Sequence, residues 1–143
     1  MTKSEHLARG FALAVVLAGL SVGTAQAQSY TGRFTLPREA RWGGAVLPAG
    51  DYRLAMNSIK GPLQVIDASG RVRVLAYGIP DSPRKDQPTS LLVTREGSAW
   101  TVRSLNCPVW GHNFVYQPFR RAERELLASG TGVETVPVRM ASR

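Results

Sequence analysis

Thiols, imidazoles and long apolar runs are scarce in this sequence, and each shortage removes a class of chemistry. A single cysteine, Cys107, among 143 residues excludes an internal disulfide. Beside it stand only two histidines, His6 and His112. A structural zinc site takes four nitrogen or sulfur ligands and a catalytic one usually three protein ligands. Neither set can be filled within one chain, so no metal is expected. A Ser-His-Asp arrangement would have to use His112, and no Gly-x-Ser-x-Gly elbow precedes a helix. No dinucleotide fingerprint, heptad or tandem repeat is present, and no cofactor is expected.

Carboxylates are also few: ten Asp and Glu face 18 Lys and Arg, for a net charge of +8. Glu39, Asp51, Asp67, Asp81, Asp86 and Glu96 fall mainly in expected turns. No two of them stand out as the facing pair that glycoside hydrolysis needs. The longest apolar run, Phe11 to Val22, is shorter than the ~20 residues of a spanning helix. It follows Lys3 and Arg9 and precedes Ala25-Gln26-Ala27, the small residues that signal peptidase accepts. The expectation is a signal peptide over 1–27 and an exported domain over 28–143, periplasmic or extracellular. No transmembrane segment is expected in the mature chain. Losing Lys3, Glu5 and Arg9 with the leader lowers the positive charge by only one.

What remains is patterned with a period of two. Tyr30, Phe34 and Leu36 share one parity, with Thr31, Arg33 and Thr35 on the other. Tyr52, Leu54 and Met56 alternate with Arg53, Ala55 and Asn57. Val72, Val74 and Ala76 alternate with Arg71, Arg73 and Leu75. Trp100 and Val102 alternate with Thr101 and Arg103, and Phe114 and Tyr116 with Asn113 and Gln117. Val136, Val138 and Met140 alternate with Thr135, Pro137 and Arg139. Such alternation marks half-buried strands. Leu63 to Asp67 and Ser90 to Arg95 are less regular but short, apolar and bounded by turns.

Asp67-Ala68-Ser69-Gly70 and Glu96-Gly97-Ser98 supply glycines where hairpins need positive φ. The fold expected is mainly β: an antiparallel sandwich or small barrel of about eight strands. One short helix, Pro118 to Ser129, comes before a last strand that Pro137 assigns to an edge. Phe119, Ala122 and Leu126 lie on one face of that helix and are expected to dock it on the sheet. In Trp42 to Met56, Leu47-Pro48-Ala49-Gly50-Asp51 is followed by alternation rather than by a helix. That makes it a corner and not a phosphate loop, with Gly43-Gly44 marking a bulge or close approach. Ile79 to Thr89, with three prolines, reads as an exposed loop.

With those residues in place, the chain resembles a family of short exported bacterial β-rich proteins. The resemblance rests on Phe34 to Pro37, Trp42-Gly43, Leu47 to Tyr52, Arg95 to Gly97 and Val102 to Leu105. It covers most of the mature chain and implies an exported β-domain, but brings no activity or site. Cys107 and its Cys-Pro-Val-Trp-Gly-His segment are not part of the family pattern.

Three functional readings follow. The first is a non-catalytic envelope domain that binds an anionic surface polymer, such as an acidic polysaccharide, or a protein partner. Its basic face would use Arg33, Arg53, Arg71, Arg73 and Arg103, at polar-parity positions, with Arg84 and Lys85 of the 79–89 loop. Trp42, Trp100 and Trp110 are candidates to stack on sugars, or core residues. No sequence-specific nucleic-acid binding is expected, and nothing indicates the oligomeric state. The second reading is a cysteine-dependent enzyme or redox protein, in which the turn between Cys107 and His112 brings thiol and imidazole together. The third is association of the Pro118–Ser129 helix with a membrane surface, which requires it to be undocked.

Overall fold

Alternation in the sequence becomes alternation in burial. The computed structural model describes residues 29–141, and the expected leader lies outside them. In β1 (Tyr30–Leu36), Phe34 and Leu36 are buried while Arg33 and Thr35 face outward. In β4 (Gly50–Met56), Tyr52, Leu54 and Met56 are buried while Asp51 and Arg53 are exposed.

Between them lie β2 (Ala40–Trp42) and β3 (Ala45–Leu47). The chain then runs through β5 (Leu63–Asp67), β6 (Val72–Ala76), β7 (Ile79–Asp81), β8 (Ser90–Glu96) and β9 (Ala99–Cys107). After a 3-10 turn over Pro108–Trp110 come β10 (His112–Val115), helix α1 (Arg121–Ala128), β11 (Val133–Pro137) and β12 (Arg139–Met140). Five strands form one sheet in the order β12-β1-β4-β5-β6. The second sheet runs β11-β8-β9-β10-β7, with the β2–β3 hairpin attached to β9. Every pairing is antiparallel except the single parallel contact of Arg41 with Thr101. The inner faces enclose one core, in which Phe34, Leu54 and Val65 of the first sheet join Leu91, Leu105 and Phe114 of the second.

The mainly β fold with one short helix before a late strand is as expected, with twelve described strands in place of about eight. The additional ones are too short for a period of two to show. β2, β3 and β7 have three residues each. The expected last strand divides at Val138, whose N–H donates to Thr89 O. Its first half, β11, pairs with β8 at the edge of one sheet, and its second half, β12, pairs with β1 at the edge of the other. Ile79 to Asp81 is strand rather than loop, because it closes the open side of β10.

The Trp42–Met56 stretch makes two reversals. Gly43-Gly44 is the two-residue loop of the β2–β3 hairpin, with Trp42 opposite Ala45 and Gly43 at φ 61°. It is therefore a hairpin turn and not a bulge. At the second reversal the Tyr52 hydroxyl donates to Pro48 O at 2.6 Å and ties the corner to β4.

The helix begins at Arg121 instead of Pro118, because Glu123 reaches back and its Oε2 accepts from the Arg120 N–H at 2.8 Å. A glutamate at the third helical position satisfies an otherwise orphaned amide in this way. Ala122 is exposed, so it is not the apolar docking contact expected; the Leu126 side chain lies outside those described. Helix α1 is tied instead through a charge, the Glu123 carboxylate accepting from the buried Arg103 guanidinium.

Gly32 sits where β12 crosses β1. A Cβ there would lie 2.9 Å from Met140 Sδ, 3.1 Å from Val138 Cγ1 and 3.3 Å from the Arg139 carbonyl oxygen. Gly32→Val is expected to lower stability by about 1–3 kcal/mol through overpacking. Gly44→Ala, with open space at its Cβ and no positive φ, is the control. Equal urea midpoints for Gly32→Val and wild type would contradict the close approach.

Candidate functional site

Strand pairing decides which arginines become neighbours. On the outer face of the five-stranded sheet, Arg33 is in register with Arg53 on one side and with Arg139 on the other. Adjacent strands lie ~4.8 Å apart, so the row Arg139–Arg33–Arg53 spans about 10 Å across the strands. All three residues are exposed, and among the described residues none of them forms an ion pair. They line an open depression of about 800 Å³. The backbone of β1 and β4 passes beneath it, the Asp67–Gly70 turn bounds one side, and Pro137 and Arg139 bound the other.

Two carboxylates belong to the same depression. Asp51 lies two residues before Arg53 on β4, and its Oδ1 accepts from Thr35 Oγ1 at 2.6 Å. Asp67 is engaged within its own turn. Its Oδ1 accepts from Ser69 N and Oγ and from Arg71 N, while Oδ2 lies 3.6 Å from Arg73 Nη1. The Ser69 hydroxyl, followed by the Arg71 amide, holds this carboxyl below its ordinary range.

The expected basic face is thus assembled only in part. Arg33 and Arg53 come together, and Arg139 joins them although it was not among the expected residues. Arg71 sits in the turn beyond Asp67, and Arg73 is paired with Asp67, so neither belongs to the unpaired row. Arg84 and Lys85 lie in the 82–89 segment, where the Arg84 backbone exchanges hydrogen bonds with the Asn106 side chain at 2.9 and 3.1 Å.

Arg103 is a correction: it is 1% exposed and belongs to no outer basic face. Its Nε donates to Thr94 Oγ1 at 2.7 Å, and Nη2 donates to Glu96 Oε1 at 2.5 Å and Glu123 Oε1 at 3.0 Å. Nη1 reaches the Pro118 carbonyl at 3.4 Å, and the guanidinium lies 5.0 Å from the Phe119 ring centroid. This buried cation is what fastens the start of α1 to β8 and β9. With Glu123 held in that cluster, the first turn of the helix is docked, as the membrane-surface reading would not have it.

The tryptophans divide as well. Trp42 is fully buried and cannot stack on a ligand. Trp100 lies under the Arg38 guanidinium at 4.4 Å, and the Trp110 ring centroid is 4.1 Å from that of Tyr30.

Cys107 and His112 do face each other, as direct cross-strand partners on β9 and β10, with Gly111 at φ 70° closing the turn. Proximity does not activate the thiol. Cys107 is fully buried, and burial raises its pKa, against weaker pulls from the Trp110 amide and the Thr89 hydroxyl. No hydrogen bond joins the Cys107 and His112 side chains among the described residues; the imidazole ring lies 5.7 Å from the Phe114 ring. The thiolate is the nucleophile, and this site disfavours it. Iodoacetamide is expected to label the folded protein at neutral pH more slowly than a free cysteine peptide. Faster labelling would return the pair to consideration.

Among the described residues no group of three or more His, Cys, Asp or Glu side chains is placed to hold a metal ion. No described helix is long and apolar enough to cross a membrane. Set against protein-family models, curated proteins and solved structures, the chain matches none of them.

Proposed function

We propose that this protein is an exported, non-catalytic β-domain that binds an anionic polymer of the cell envelope through the row Arg139–Arg33–Arg53. The observation that carries the reading is three exposed arginines in register, without carboxylate partners among the described residues, over an open depression. Like charges placed opposite each other on neighbouring strands destabilise a sheet. A ligand that brings carboxylate or phosphate groups relieves that repulsion, and arginine's planar fork suits both. The depression is open to solvent rather than enclosed, which suits a chain lying over it better than a buried small molecule.

The test is retention on immobilised polygalacturonate across a salt gradient. Wild type is expected to elute later than Arg33→Ala/Arg53→Ala/Arg139→Ala, with steep salt dependence. Coelution of the two proteins, or retention indifferent to salt, would end the proposal.

A further inference from the structure

Resting on that reading, we infer that the depression selects an acidic polysaccharide over a phosphate polymer, because Asp51 is placed to accept sugar hydroxyls beside the arginine row. The carboxylate shares the outward face of β4 with Arg53, two residues away, or about 7 Å along the strand. A pure polyanion sink has no use for it. An ionised carboxylate only accepts hydrogen bonds, so it repels a second anion and welcomes an O–H donor.

The occupancy of its two oxygens matters. Oδ1 takes the Thr35 hydroxyl, which fixes the carboxylate's orientation, and no other described group hydrogen-bonds to it. Oδ2 is therefore available to a ligand. The Thr35 oxygen, having donated its proton, also keeps lone pairs with which to accept. Asp67 cannot share this role, since three donors and Arg73 already occupy it.

The surface thus offers a cationic line with an acceptor at one end. A uronate chain matches it: each linked sugar carries one carboxylate for a guanidinium and free hydroxyls, two in a 1→4-linked chain, for Asp51 and Thr35. A polyphosphate chain presents an anion at every link and no hydroxyl, so part of it would be held against Asp51. Single-stranded DNA has the same difficulty along its backbone.

The experiment compares binding of oligogalacturonate and of polyphosphate of similar length to the full chain at fixed ionic strength. Wild type is expected to prefer oligogalacturonate. Asp51→Ala removes a charge-assisted hydrogen bond and is expected to weaken oligogalacturonate about tenfold. The same change is expected to leave polyphosphate binding equal or tighter. Asp51→Asn, which keeps an acceptor oxygen, is expected to restore most of the oligogalacturonate affinity.

If Asp51→Ala tightens both ligands alike, the carboxylate merely repels, and selection for polysaccharide is overturned while the arginine row stands. Preference of wild type for polyphosphate has the same meaning. If Arg33→Ala leaves both affinities unchanged, the underlying reading fails instead.

Discussion

Removing both Glu96 and Glu123, as Glu96→Ala/Glu123→Ala, is expected to destabilise the fold by about 3 kcal/mol. The figure is the low end of what it costs to strand a buried charge without its partner. The guanidinium of Arg103 is almost wholly enclosed, and these two side chains are its counter-charges. Thr94 Oγ1 and the Pro118 carbonyl would still satisfy two of its nitrogens, which keeps the loss at that end. Arg103→Met is expected to cost less than the double variant. It leaves behind two carboxylates, of which Glu96 is half exposed and Glu123 partly so, and both can hydrate. Urea midpoints of the three proteins decide the order. A double variant as stable as wild type would mean that Arg103 does not depend on its acidic partners.

Acid should act on the same cluster. The Arg120 backbone amide, helped by Glu96 and Arg103 and opposed by desolvation, lowers the Glu123 pKa from 4.5 to about 2. A depressed carboxyl stabilises the fold fully above its unfolded pKa and loses that contribution as pH falls through its folded value. Wild type is therefore expected to lose stability between pH 4.5 and about 2, and Glu123→Ala to lose less over that interval.

The second large effect concerns the row itself. Arg33→Thr is expected to raise stability at low salt by about 0.5–1 kcal/mol and to lower affinity for oligogalacturonate about tenfold. Arg33 is the middle residue, so its removal relieves two like-charge contacts at once, and threonine is well suited to a strand. The stability gain should fade in molar salt, where screening removes the repulsion. Arg41→Thr, at an exposed position outside the row, should change neither quantity by much. Lower stability for Arg33→Thr at low salt would show that the three charges are not in opposition.

Parity alone puts Arg33 and Arg53 on an outer face, because neighbouring side chains of a strand point to opposite sides. It misplaces Arg103 for a reason visible in β9. From Thr101 to Cys107 that strand is buried on both faces, so polar side chains are no longer a sign of solvent. Its outer side is covered where Pro118, Phe119 and Glu123 gather on Arg103 and where the 84–88 segment meets Asn106. A polar residue under such a cover looks like a surface residue in sequence. The Cys107–His112 approach was legible, since a short turn with proline and glycine imposes it. The thiol's burial follows the usual preference of a lone cysteine for the core, and only the structure gives its extent.

The alternation of apolar and polar residues determined by itself that this chain makes sheets, where most strands run, and which face of β1 and β4 bears the arginines. Those are local properties, written within a few residues of each other. Only the tertiary structure decided that Arg139 stands beside Arg33, since β1 and β12 meet from opposite ends of the domain. It likewise decided that Arg103 is enclosed while Asp51 stays exposed with one oxygen held by Thr35. Pairing and cover depend on contacts between distant segments, and a periodicity of two carries no information about which strand lies next to which.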